Sequence, residues 1–144
     1  MRKSLGKSSI IFLLVIFVFT MGFAMLTIVG AGEIYSGNCG AYGDGGDVKW
    51  SLNINTGELT IKGSGAMKNY SDDKETAPWN SYRSQIIAIT MSEGITSIGS
   101  SAFEGCSSLT SITIPDSVTS IGYDAFRGCK SLTTSSCVIP ILFL

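Results

Sequence analysis

Apolar and polar residues alternate in three different ways along this 144-residue chain. The first is continuous: Ile10 to Val29 is a run of twenty apolar and small residues, preceded by Arg2, Lys3 and Lys7. A basic start followed by an apolar run ending in small residues, here Val29-Gly30-Ala31, is the pattern of an export signal. Residues 1–31 are read as a signal peptide or a retained signal anchor, since an apolar run of this length also reaches across a bilayer. Either reading places the remainder outside the cytoplasm. The second pattern has period two. Val48, Trp50, Leu52 and Ile54 alternate with Lys49, Ser51 and Asn53; Leu59 and Ile61 then alternate with Thr60 and Lys62 beyond the turn residues 55–58. Such alternation predicts a β-hairpin with one buried face. Residues 32–85 are read as a small β-rich N-terminal segment, closing with the charged loop 71–75 and Pro78-Trp79.

The third pattern is a repeat. Shifted by 23 residues, Ile95–Thr110 lies over Val118–Thr133 with eleven of sixteen positions identical. A worn earlier copy places Ile86, Ile89 and Met91 over Leu109, Ile112 and Ile114. The apolar positions Cys106, Leu109, Ile112, Ile114, Val118, Ile121, Ala125, Phe126 and Cys129 are separated by steps of 3, 3, 2, 4, 3, 4, 1 and 3. Neither a helix nor a strand alone fits those steps. A coil turning about an axis does, with one apolar group pointing inward at each bend, and stacked neighbours make its core. The expected core is Ile89, Met91, Ile98, Phe103, Cys106, Leu109, Ile112, Ile114, Ile121, Phe126, Cys129 and Leu132. Ile112-x-Ile114 is the short strand of a coil, and Pro115 ends it because proline donates nothing to a ladder.

Ile-Thr-Ser-Ile-Gly-x-x-Ala-Phe-x-Gly-Cys-x-Ser-Leu-Thr followed by Ile-x-Ile-Pro resembles the BspA-type leucine-rich repeat of bacterial surface proteins. Ser36–Gly40, Trp50-Ser-Leu52, Gly57–Met67 and Ala77-Pro-Trp79 resemble the segment that often precedes those repeats. The resemblance implies an exported surface or secreted protein associated with adhesion, and it transfers no catalytic residue, because its motif is made of core positions. The fold expected is β-rich: a short leucine-rich-repeat solenoid of about two and a half coils over residues 86–134, preceded by the hairpin segment. The pattern breaks in the apolar C-terminal tail, 135–144, where Cys137-Val-Ile-Pro140 arrives two residues late. Two readings stand there: a truncated copy of a longer array, or an improvised strand from Val138 to Leu144 covering the last coil.

Composition narrows the chemistry. Histidine is absent, which excludes Ser-His and Cys-His nucleophiles, His-ligated zinc and an imidazole base. Beyond residue 31 the chain carries seven basic and eleven acidic groups, so it lacks the basic surplus of a nucleic-acid binder. From Ile95 to Thr134, 15 of 40 residues are Ser or Thr, polar without being charged. Asp44-Gly-Gly-Asp47 lacks the spaced carboxylates of a calcium loop, and Ser71-x-x-Lys74 lacks the companion motifs of a serine–lysine acyl enzyme. No cofactor and no metal site is expected. Cys106 and Cys129, one repeat apart, are read as reduced core thiols; Cys39 and Cys137 have no predictable partner.

The leading reading is a non-enzymatic binding protein acting on an extracellular protein or cell-surface ligand. Membrane contact is expected only through an uncleaved N-terminus, and self-association through the C-terminal end. Its candidate ligand-binding residues are Ala88, Thr90, Ser111 and Thr113, which flank the inward strand positions. The alternative is a carbohydrate-binding module or secreted-hydrolase appendage, with Trp79, Tyr82 and Tyr70 as a stacking platform and Asp72 or Asp73 as the acid.

Overall fold

The computed structural model describes residues 33–43, 45–71 and 75–133, together with the backbone of 137–138. The segment 1–31, Asp72, Asp73 and Lys74, and the end of the tail lie outside the described residues. The strands are β1 (Ile34–Asn38), β2 (Val48–Asn53), β3 (Glu58–Gly63), β4 (Gly65–Ala66), β5 (Ala88–Met91), β6 (Ile95–Ile98), β7 (Ser111–Thr113), β8 (Ser120–Ile121) and β9 (Cys137–Val138). One 3₁₀ helix, Asn80–Gln85, precedes β5.

These strands form two sheets. The larger runs β1-β2-β3-β5-β7-β9 and the smaller β4-β6-β8. β1, β2 and β3 pair antiparallel, because the turn after Asn53 returns the chain at once; the Asn53 side-chain oxygen accepts from the Asn55 amide at 3.0 Å. From β3 onward every pairing in the large sheet is parallel. Each coil therefore crosses the large sheet, turns, crosses the small sheet, and returns through a cluster of turns. Period-two alternation sends Val48, Trp50, Leu52, Leu59, Ile61, Ile89, Met91 and Ile112 inward, where they are buried.

One buried cluster extends from Cys39 to Ala125. It crosses the boundary at residues 85 and 86 without interruption. The reason is that residues 58–70 act as an extra coil beneath the first repeat. β3 pairs with β5 and β4 with β6, and the Met67 and Tyr70 amides donate to the carbonyls of Ser97 and Ser100 at 3.1 and 2.9 Å. Trp79 fills this coil from inside. It is 1% exposed, its ring stacks on Phe103 at 5.5 Å between centroids, and Phe103 stacks on Phe126 at the same spacing. Its indole N–H donates to the Ala102 carbonyl at 2.8 Å, so the polar atom of a buried indole is satisfied.

Hydrogen bonds between residues 23 apart hold coil to coil. The Thr110 amide reaches the Ile87 carbonyl at 2.8 Å, and the Thr119 amide the Thr96 carbonyl at 2.9 Å. The hydroxyls of the same two threonines donate to the same carbonyls at 3.1 and 3.2 Å. The Ser117 and Ser131 hydroxyls reach Ile95 and Ser107, 22 and 24 residues back, at 2.8 and 2.7 Å. Much of the serine and threonine content is thus structural. Glu104 and Arg127, also 23 apart, add an ion pair at 3.1 Å; Arg127 is well exposed, so its contribution is small.

Ile89, Met91, Ile98, Phe103, Cys106, Leu109, Ile112 and Ile114 are buried, whereas Ile121, Phe126, Cys129 and Leu132 are half-buried. The second group belongs to the last full coil described, which has a neighbour on one side over most of its length. β9 adds to β7 with Cys137 opposite Ile112. That register carries the two-residue delay read in the sequence.

Stacking also dictates where side chains are allowed. A Cβ on Gly99 meets the Lys68 carbonyl oxygen, and one on Gly122 meets the Ser100 amide, because the coils touch backbone to backbone there. Two positions later, Ser101 and Asp124 adopt φ of 49° and 55°, a left-handed conformation that costs a residue with a Cβ about 1–2 kcal/mol. Opposite outcomes are expected from substitution. Gly99→Ala should lower unfolding free energy by at least about 2 kcal/mol through backbone overpacking. Ser101→Gly should fall within about 1 kcal/mol of the parent, on the stabilising side. Urea unfolding of the two variants checks both; equal losses would contradict this account of the corner.

Candidate functional site

The residues that alternation sends away from the core form the outer face of the large sheet. Strand register arranges them in rows that run across the strands. One row is Ser36, Ser51, Thr60, Thr90 and Thr113, each directly opposite the next. All five carry a hydroxyl, and none of those hydroxyls bonds to another described residue. Ser36, Thr90 and Thr113 are exposed and Ser51 and Thr60 half-buried, at the spacing of adjacent strands, about 4.8 Å. A second row is Ile34, Asn53, Glu58, Ala88 and Ser111. A third, shorter one holds Asn38, Lys49 and Lys62.

The four residues proposed from the sequence therefore lie together. Ala88 and Ser111 are neighbours in the second row, and Thr90 and Thr113 are neighbours in the first. Thr90, Ser111 and Thr113 are exposed and Ala88 is half-buried. What the sequence reading did not join to them are Thr60, Ser51 and Ser36, with Glu58, Lys49 and Lys62 alongside. Their outward direction was legible from alternation. Their position beside Thr90 was not, because it depends on β3 pairing parallel with β5 across a gap in which no repeat is visible.

The face suits recognition by hydrogen bonding. Hydroxyls both donate and accept, and short side chains on strands lose little conformational freedom when covered. Charge is confined to its edges: two lysines at one end of β2 and β3, and one glutamate at the other. Neither lysine forms an ion pair among the described residues.

The carbohydrate platform of the alternative reading does not exist. Trp79 is buried with Phe103 on one face and the rings of Trp50 and Tyr70 edge-on at 5.7 and 6.1 Å. Tyr70 is buried as well, and Tyr82 is covered by Tyr35 at 4.7 Å. Trp79 and Tyr70 fill the core and leave no face for a sugar, and half-buried Tyr82 alone makes no platform. The candidate acids Asp72 and Asp73 lie outside the described residues.

A shallow recess of about 240 Å³ lies beside the glycine-rich loop 39–46, with Cys39, Lys68, Tyr70 and Glu75 among its walls. Its groups are poorly placed for catalysis. Lys68 and Glu75 are paired at 2.8 Å, burial pushes the Cys39 thiol up to about 12, and burial raises Tyr70 further still. At the outer end of β1, hydrogen bonds with Tyr82 and Glu33 lift the Tyr35 phenol to about 12. Among the described residues no group of three or more Cys, Asp or Glu side chains is gathered to hold a metal.

With this geometry in hand, comparison with known proteins is direct. Residues 80–140 match the family described as "BspA type Leucine rich repeat region (6 copies)". These residues are a BspA-type leucine-rich repeat region. A solved structure of a leucine-rich repeat protein from Eubacterium ventriosum ATCC 27560 is similar, with 34% identity and a TM-score of 0.57. The similarity covers 67% of this chain and 24% of the solved one, so this chain spans about a quarter of that protein's length. No curated protein matches. The matched repeat region begins at Asn80, one residue after the tryptophan that fills the coil beneath it. No helix among the described residues is long and apolar enough to cross a membrane.

Because Trp79 closes the base of the leucine-rich repeat region, Trp79→Ala should cost about 3–5 kcal/mol of stability. Urea unfolding measures this loss, and a glycan array run on the same protein should show no sugar whose binding depends on Trp79. Selective loss of sugar binding at unchanged stability would return the residue to a binding role.

Proposed function

We propose that this is an exported leucine-rich-repeat protein, displayed at the cell surface or secreted, that binds a protein or other cell-surface ligand through the outer face of its large sheet. The role is adhesion without catalysis. What carries the reading is the unbroken row of five outward hydroxyls, Ser36, Ser51, Thr60, Thr90 and Thr113, none of which is used inside the molecule. Hydroxyls elsewhere in the repeats staple one coil to the next. These five make no such bond, and together they span five strands.

Export rests on the basic and apolar residues of 1–31, as a cleaved signal peptide or an anchor. In this reading residues 32–85 are the N-terminal segment, 86–134 are about two and a half coils, and 135–144 are the apolar tail. The half-buried Phe126, Cys129 and Leu132 of the last full coil supply apolar surface for self-association. Partners are proteins or cell-surface ligands, not nucleic acid, since the exported part is mildly acidic.

Thr90→Lys combined with Thr113→Lys places long side chains on the hydroxyl row without touching the core. Binding to intact cells and to immobilised extracellular-matrix proteins should weaken by tenfold or more, while thermal unfolding stays close to that of the parent. Lys130→Glu, at a turn away from the large sheet, serves as the control and should leave binding intact. Equal binding by the parent and the double variant would remove this face from consideration.

A further inference from the structure

Cys106 and Cys129 occupy the same position in consecutive coils. In that column the coils are fastened immediately before the thiols. The Phe103 amide donates to the Ala125 carbonyl at 2.8 Å, the Gly105 amide to the Arg127 carbonyl at 2.7 Å, and Phe103 stacks on Phe126. Both cysteines follow a glycine in the left-handed region, Gly105 at φ 72° and Gly128 at φ 76°. Matching backbones set the two side chains alongside each other. A spacing of about 5 Å between stacked chains lies within the 4.4–6.8 Å Cα range that disulfides span. Both thiols are free in this structure. The Cys129 S–H donates to the carbonyl of Phe103, three residues before Cys106, at 3.2 Å.

We infer that Cys106 and Cys129 are a disulfide-forming pair that ties one coil covalently to the next, with a low-molecular-weight disulfide of the glutathione type as oxidant. Their burial gives them different tasks. Cys129 is half-buried and Cys106 is fully buried, so an external reagent reaches Cys129 first. Hydrogen bonding from Cys106 holds the Cys129 thiol below its ordinary range and raises Cys106 above its own. The Arg83 guanidinium acts on Cys106 in the opposite sense, easing its later ionisation.

The reaction balances in two exchanges. The Cys129 thiolate attacks one sulfur of the oxidant; its S–S bond breaks, and one thiolate leaves and takes up the proton Cys129 released. Cys106 then loses its proton and attacks the Cys129 sulfur of the mixed disulfide. The Cys106–Cys129 bond forms and the second thiol departs. The protein loses two protons and two electrons, and one oxidant molecule becomes two thiols. Cys39 is an internal control: it is buried, has no thiol beside it among the described residues, and its ionisation is opposed by burial.

The test uses the full chain, reduced and then exposed to oxidised glutathione, with remaining thiols alkylated under denaturing conditions. Trypsin leaves Cys106 in the fragment 84–127, Cys129 in 128–130 and Cys137 in 131–144. The expected product is 84–127 linked to 128–130, with Cys39 alkylated and the thermal midpoint raised by at least about 5 °C. Cys106→Ala should stop the reaction at a persistent glutathione adduct on Cys129, and Cys129→Ser should leave Cys106 unreacted. Recovery of both cysteines as alkylated thiols, or a link from either to Cys39 or Cys137, would overturn the assignment. The wild-type peptide map decides the question whether or not the variants fold.

Discussion

A coil of this kind has no core of its own; each one becomes stable only when a neighbour covers it, and the first coil has to find that neighbour outside the repeat. Trp79 meets this requirement. Its indole lies in the aromatic column that Phe103 and Phe126 continue, each pair of rings 5.5 Å apart. Its N–H is anchored on the Ala102 carbonyl. Residues 58–70 lie around it as an imperfect coil, closed on the repeat by β3, β4 and the backbone bonds of Met67 and Tyr70. The burial of Ile86, Ile89, Phe103 and Leu109 follows from that closure. Burial is fullest next to this base and weaker at Ile121, Phe126 and Leu132, as expected of a one-dimensional stack whose members are stabilised by nearest neighbours.

Serine and threonine perform two separate tasks, and position alone assigns them. At corners, where consecutive coils run close, hydroxyls of Thr110, Thr119, Ser117 and Ser131 donate to carbonyls of the coil before. At Ile87 and Thr96 the hydroxyl adds a second bond to a carbonyl that already accepts a backbone amide, so each contact between coils is doubled. On the strands the ladder already satisfies the backbone, so the hydroxyls of Thr60, Thr90 and Thr113 are left for solvent or a ligand. A composition rich in hydroxyls is therefore compatible with a rigid scaffold and with a receptive surface in one chain.

The repeat was legible because it is written twice. Eleven matching positions at a fixed shift identify the coil, its apolar positions and its family, and Ile-x-Ile-Pro marks the strand. Alternation around Trp50 and Leu59 gave the direction of each side chain. What no pattern conveyed was how the hairpin meets the repeat. β3 pairs with β5 across the helix 80–85 and the loop before it, and nothing in Leu59 or Thr60 specifies a parallel partner thirty residues on. In the sequence Trp79 reads as the close of the hairpin segment. Its place in the Phe103 column was hidden by the residue change and by a spacing of 24 instead of 23. The sugar-stacking alternative failed for a related reason: exposed and buried aromatics look the same in one dimension, and here the missing first coil required them inside.

The same closure decides how large the outer face is. Repeats alone contribute Ala88, Thr90, Ser111 and Thr113, four short side chains on two strands. Three further strands join because the hairpin continues the sheet, and they bring Ser36, Ser51 and Thr60 into line along with three charges at its edges, Lys49, Lys62 and Glu58. A ligand lying across the strands would meet hydroxyls throughout and charge at two opposite edges. Hydroxyl contacts are individually weak, so affinity would grow with the number of strands engaged and orientation would come from the edges. Recognition on such a surface would belong to the N-terminal segment as much as to the repeat, and Trp79, buried in the core, is the residue that joins the two halves of the face.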